Sequence, residues 1–127
     1  MIDFNTDTIF KLHPVKEEKF DKLLDEMLTD GEYIVEAFKT VRDGVVFTNK
    51  RIIAINVQGV TGKKKDYTTL PYSKIQAFSL ETAGFVDIES ELQLWFSGLG
   101  KVRFEFLIGS DVKTVFRTIS SRVLEHC

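Results

Sequence analysis

From residue 33 to residue 107 the chain is a succession of short segments in which apolar and polar residues alternate, punctuated by turn residues, and it ends in one amphipathic stretch over 110–125. Alternation sends successive side chains to opposite faces, so it specifies strands with one dry face and one wet face. No connection between these segments is long enough to hold a crossover helix, which argues against a parallel sheet. The pattern predicts a mainly β protein: an antiparallel barrel of about seven strands closed by a C-terminal helix.

The strands are expected at 33–42, 45–48, 51–58, 66–70, 76–82, 92–96 and 101–107. Asp43-Gly44 reads as a tight hairpin turn, Gly59 and Gly62 bracket a second turn, and Ser97-Gly98-Leu99-Gly100 joins the last two strands. The final strand alternates cleanly, with Val102, Phe104 and Phe106 facing a core and Lys101, Arg103 and Glu105 facing water. Ser110 is placed to cap the closing helix, whose apolar stripe is Val112, Val115, Phe116, Ile119, Val123 and Leu124. Ahead of the barrel, Phe20, Leu23, Leu24, Met27 and Leu28 recur at helical spacing, so an additional N-terminal helix is expected over 15–28. Pro14 would open it, and Gly31, after Thr29-Asp30, would end it with a positive φ.

At 127 residues the chain is expected to be a single domain with one real core, and its eleven phenylalanines supply that core's bulk. A net charge of −2 provides no global attraction to nucleic acid or anionic lipid. The N-terminal residues lack the basic and apolar regions of a signal peptide, and no run approaches the roughly 20 apolar residues of a membrane span. The lone cysteine, Cys127, cannot form an internal disulfide. These features together give the expectation of a cytoplasmic protein.

Four stretches carry a resemblance: Val46-Phe47-Thr48-Asn49-Lys50-Arg51-Ile52-Ile53, Leu70-Pro71-Tyr72-Ser73-Lys74-Ile75, Ser79-Leu80-Glu81-Thr82-Ala83-Gly84 and Glu91-Leu92-Gln93-Leu94-Trp95-Phe96. In series, and with the final helix, they resemble the bacterial pleckstrin-homology-like family over residues 31–125. The resemblance implies a bent seven-stranded barrel plugged at one end by a helix. It implies no enzymatic activity. It also implies a subunit of a closed homo-oligomeric ring, five-membered, whose hydrophilic surface receives a second protein. The 15–28 helix lies outside the stretch that carries the likeness.

Two features favour association independently. The 51–58 strand has Ile52 and Ala54 on one face and Ile53, Ile55 and Val57 on the other, and a strand apolar on both faces is normally covered on both. Trp95 falls on the outward side of a strand whose core side is Leu92, Leu94 and Phe96, and an outward tryptophan suits an interface. Ile52, Ile53, Ile55, Val57 and Trp95 are therefore the candidate oligomer interface. The competing explanation is that the N-terminal helix packs over both features within the same chain.

Lys63-Lys64-Lys65 is the sharpest charge cluster and could hold a phosphate or an anionic headgroup; the alternative is a solvated hairpin tip. It is not a phosphate-binding P-loop, because the glycines are too close and Lys64 stands where a magnesium-binding hydroxyl is needed. Pleckstrin domains often bind phosphoinositides near the first hairpin, where this chain offers only Lys39 and Arg42, with Asp43 opposing an anion. Lys39, Arg42, Lys63, Lys64 and Lys65 form the candidate anion-binding set, and membrane binding through them is expected to be weak.

Asp87, Glu89 and Glu91 alternate, but a calcium loop needs a glycine and further oxygen ligands that are missing, so an ordinary exposed segment is the expectation; an acidic rim facing Lys63–Lys65 of a neighbour in a ring is a further reading. His13, His126 and Cys127 lie near the termini with no partner for nucleophilic catalysis or metal ligation. Tyr67, Tyr72 and Trp95 could stack on bases, but the acidic balance opposes nucleic acid. No catalytic residue, metal or cofactor is assigned. The sequence reads as a non-catalytic module with an unidentified protein partner; the alternative is a peripheral anionic-lipid or phosphate binder.

Overall fold

A computed structural model describes residues 9–15, 22–40, 43–82, 90–107 and 111–125. Within them the chain runs β1 (Ile9–Val15), α1 (Lys22–Met27), β2 (Ile34–Lys39), β3 (Gly44–Thr48), β4 (Arg51–Gln58) and β5 (Lys64–Pro71). A single 3-10 turn (Tyr72–Lys74) leads to β6 (Ile75–Thr82), β7 (Ser90–Phe96), β8 (Gly100–Phe106) and α2 (Val112–Leu124).

The strand order is β5-β4-β3-β2-β1-β8-β7-β6. Two antiparallel halves, β2–β5 and β6–β8, are joined by a strand that the sequence pattern does not announce. β1 runs parallel to β8 through Ile9–Leu12 and antiparallel to β2 through His13–Val15. A parallel pair is thus present without a crossover helix, because its two strands come from opposite ends of the chain. Pro14 belongs to β1, opposite Phe38, rather than opening a helix. The β8 ladder already stops at Leu12, so the missing N–H costs at most one ladder bond. His13 likewise sits within the sheet, opposite Lys39.

The sheet bends around one core. Phe38, Phe47, Ile52 and Leu70 from one half meet Leu92, Phe104 and Phe106 from the other. Phe38 and Phe47 pack edge to face at 5.7 Å, and Phe38 meets Phe106 at 5.0 Å. Such contacts add to area burial alone. The alternation expected in β7 and β8 is present: Leu92, Leu94, Phe96, Val102, Phe104 and Phe106 are all buried. α2 lays Val112, Val115 and Ile119 on this core, with Phe116 and Val123 packed beside them, while Leu124 stays exposed. The cap of α2 is Asp111, whose carboxylate accepts from Thr114 N–H at 3.2 Å; Ser110 lies outside the described residues.

A second, smaller cluster occupies the other face of β2–β5: Leu24 of α1 with Ala37, Val46, Ile53 and Ile55. The N-terminal helix is only six residues long, Lys22–Met27, and residues 16–21 of the expected 15–28 helix lie outside the described residues. Short as it is, it delivers Leu24, fully buried, onto the face that the doubly apolar strand would otherwise expose. Gly31, at φ 77°, reverses the chain from α1 into β2.

Candidate functional site

The most heavily bonded polar constellation fastens the α1–β2 connection to the β3–β4 turn. Arg51, the first residue of β4, binds the Glu32 carboxylate with Nε to Oε2 at 2.9 Å and Nη2 to Oε1 at 3.0 Å. The same guanidinium donates to the Met27 carbonyl at 3.0 Å and to the Thr69 hydroxyl at 2.9 Å. Glu32 also accepts from Thr48 Oγ1 at 2.6 Å and from Thr29 N–H at 2.9 Å. Burial alone would raise the Glu32 pKa, but the hydrogen bonds from Arg51, Thr48 and Thr29 and the Arg51 charge outweigh it and hold the pKa at about 2.

The rest of the turn makes the same connection. Asn49 accepts from Tyr33 N–H through Oδ1 at 2.8 Å and donates to the Gly31 carbonyl at 3.1 Å. Lys50 Nζ donates to the Asp30 carbonyl at 2.8 Å. Beneath the turn, the buried Tyr72 hydroxyl donates to the Thr48 carbonyl at 2.7 Å. Burial pushes the Tyr72 pKa up, the Glu32 carboxylate adds to the rise, and Arg122 opposes it. All four residues 48–51 therefore reach back to residues 27–33. With its oxygens so occupied, Glu32 is a clamp rather than a proton-transfer group.

The expected anion-binding set is not gathered in one place. Lys64 and Lys65 belong to β5, opposite Gln58 and Val57, and only Lys63 lies in the turn. Lys39 ends β2; counting across β3 and β4 at the usual strand spacing separates it from β5 by about 14 Å. Arg42 lies outside the described residues. The turn expected at Asp43-Gly44 is displaced: Gly44 starts β3, Thr40 N–H donates to the Asp43 carbonyl, and the buried Asp43 carboxylate accepts from Val57 N–H at 2.8 Å. Asp43 ties the hairpin to β4, which no pattern in its neighbours signals.

The candidate interface is corrected in part. Ile52 lies in the main core, and Ile53 and Ile55 are covered within the chain by Leu24. The doubly apolar strand thus needs no second subunit to cover it. Val57 is half-buried, and so is Trp95, on the outer face of β7 opposite Lys101 and Ala77. Tyr72 is in the core, whereas Tyr67, packed on the second cluster, and Trp95 are both half-buried on outer faces of the sheet. Glu91 is ion-paired with Arg103 across β7 and β8; Asp87, Glu89, His126 and Cys127 lie outside the described residues.

The two end strands of the sheet differ. β5 carries Lys64, Lys65 and Asp66 at one end and Pro71 at the other, the usual guards of a sheet edge. β6 has a register irregularity between Ile75 and Ala77, and thereafter its only charge is Glu81. Gln76, Ala77, Ser79, Glu81 and Thr82 are exposed along it. Among the described residues no helix is long and apolar enough to cross a membrane.

The known proteins most informative for this fold agree with it. The chain is 38% identical to a DUF1696 family protein with a pleckstrin-homology domain from Shewanella loihica PV-4, with a TM-score of 0.74 over 90% of this chain and 98% of that one. It is 43% identical to a pleckstrin homology domain from Shewanella amazonensis SB2B, with a TM-score of 0.61 over 86% of this chain and 89% of that one. Among Bacillus subtilis (strain 168) proteins, it is 51% identical to the uncharacterized protein YjqA over 75 residues, which is 59% of this chain and 60% of YjqA. It is 38% identical to the uncharacterized protein YozO over 73 residues, 58% of this chain and 63% of YozO. The matches thus span about three-fifths of the length of these curated relatives. A family model described as the bacterial PH domain matches residues 3–123, and the chain belongs to that family.

Proposed function

We propose that this chain is a non-catalytic interaction module that assembles head to tail into a closed homo-oligomeric ring and offers a polar surface to a second protein. The β6 edge carries this reading. An eight-residue end strand with one charge and mostly exposed side chains is a template for backbone pairing with another chain. Trp95, beside Ala77 of that strand, supplies an aromatic anchor next to the edge. A heterologous contact made by one edge closes into a ring when its rotation permits, and the family resemblance supports five subunits.

Light scattering across micromolar concentrations tests the assembly. A ring gives one concentration-independent mass of several subunits, and Ser79→Pro together with Trp95→Ala collapses it to a folded monomer. A strict monomer in the unmodified protein defeats the ring, and a dimer defeats ring closure while leaving edge pairing standing. The intact oligomer is then the bait for its protein partner.

A second reading, a peripheral binder of anionic surfaces, draws support from Val60, fully exposed in the β4–β5 turn close to Lys63, Lys64 and Lys65. Salt-sensitive sedimentation with anionic vesicles, lost on neutralising the three lysines, would favour it over the ring.

A further inference from the structure

Among the described residues one buried polar side-chain atom has no hydrogen-bond partner, the Ser90 hydroxyl. Ser90 is the first residue of β7, and only 6% of its surface is exposed. It holds the inward position of the row that Leu92, Leu94 and Phe96 continue, between Thr82 of β6 and Phe106 of β8. A hydroxyl thus stands where the alternation of the strand asks for an apolar group. Burying it unpaired lowers stability, and alanine at this position would carry no such penalty. A buried polar group without a partner asks for an explanation.

The surroundings of Ser90 supply one. β5 and β6 are the two end strands of the sheet; they do not pair with each other, yet Leu70 of one and Ile75 of the other line the same core. The 3-10 turn closes this seam at one end, where Tyr72 and Ile75 are buried. Farther along β6 the inward residues Phe78 and Leu80 pack on the core but are only half-buried. Phe116 of α2 leans on Phe78, ring to ring at 5.3 Å. The seam is therefore an apolar slot that runs from Phe78 past Leu80 to Thr82 and Ser90, about 13 Å along the strand. Its hydroxyls lie at the far end alone. The inward positions of β6, β7 and β8 carry no charge, and on β5 the inward Lys64 and Asp66 are of opposite sign.

We propose that this slot binds an uncharged amphiphile, an alkyl chain ending in a hydroxyl or carbonyl oxygen, with Ser90 as the hydrogen-bond partner of the polar end. The chain lies against Phe78 and Leu80. Ser90 Oγ can donate to a carbonyl or exchange hydrogen bonds with a hydroxyl. An ionised end would lose its water beside Ser90 and meet no counter-charge on β6, β7 or β8, which selects the uncharged form. The slot lies on the core side of β6, so binding goes beyond the assembly proposed above and does not require it. The unpaired hydroxyl is then a local departure from good packing that the ligand makes good.

Calorimetry with 1-octanol should show saturable binding, and Ser90→Ala should weaken it by about threefold to tenfold. The same substitution should raise the melting temperature of the ligand-free protein by roughly 2–8 °C, because it removes the unpaired hydroxyl. Opposite movements of affinity and stability separate a ligand-binding serine from a structural one, whose loss lowers both. Octanoate, the same chain with a charged end, should bind about tenfold more weakly or not at all. Gln93→Ala, on the outer face of β7, should bind 1-octanol as the unmodified protein does. Absence of saturable binding at roughly millimolar 1-octanol overturns the proposal. So does binding that Ser90→Ala leaves unchanged, or octanoate binding as tight as that of the alcohol. A lower melting temperature in Ser90→Ala overturns it as well, since the hydroxyl would then have a partner in the free protein.

Discussion

Arg51 grips Glu32 with two hydrogen bonds, and the two residues are joined through a carboxylate whose side chain is almost completely out of water. Two more of the guanidinium's donors go to the Met27 carbonyl and Thr69, so the pair lies at the centre of a hydrogen-bonded network rather than on a solvated rim. Lysine has the charge but not the fork. Arg51→Lys should cost about 1.5–3 kcal/mol in urea unfolding. Arg51→Met, which leaves the buried carboxylate without a counter-charge, should cost about 3–5 kcal/mol. If the two variants prove equally mild, the clamp is not holding the fold.

The same carboxylate sets an acid dependence. Its pKa falls from an ordinary 4.5 to about 2 on folding, so above 4.5 it is ionised in both states and its stabilisation is fully present. As the pH drops from 4.5 towards 2 the unfolded chain takes up a proton that the folded chain refuses, and stability is lost across that window. Subtracting the pH profile of Glu32→Gln from that of the parent should isolate this slope. A flat difference between pH 4.5 and 2 would contradict the assigned pKa.

Leu24 covers Ile53 and Ile55 from outside the barrel, so Leu24→Ala should destabilise the protein by about 2–5 kcal/mol. It should also bare the second face of β4, raising the binding of a hydrophobic dye before global unfolding. A loss below about 1 kcal/mol, the scale of a surface change, would mean that α1 is an ornament on the sheet.

What was legible in the chain follows from how local each signal is. Val102, Phe104 and Phe106 declare their strand by alternation alone, and Val112, Val115 and Ile119 declare their helix by spacing alone. β1 makes no such declaration. Its Pro14 reads as a helix start, and what makes it a strand is the pair of ladders offered by β2 and β8. Glu32 looks like any solvated acid until Arg51, 19 positions on, is brought against it. The Thr48-Asn49-Lys50-Arg51 stretch carried the family resemblance, but its purpose lies in partners that no local pattern shows.

The position of β1 has a consequence for how the protein comes into being. Its two neighbours are made at very different times: β2 follows it closely, while β8 is among the last strands synthesised. Until β8 arrives, the β1 flank that will pair with it has no ladder, and the long loop that joins them must be closed against its entropy. The nascent chain therefore carries an unsealed seam through most of its translation, and zipping that seam is the natural late step at which folding, chaperone capture and premature strand exchange compete.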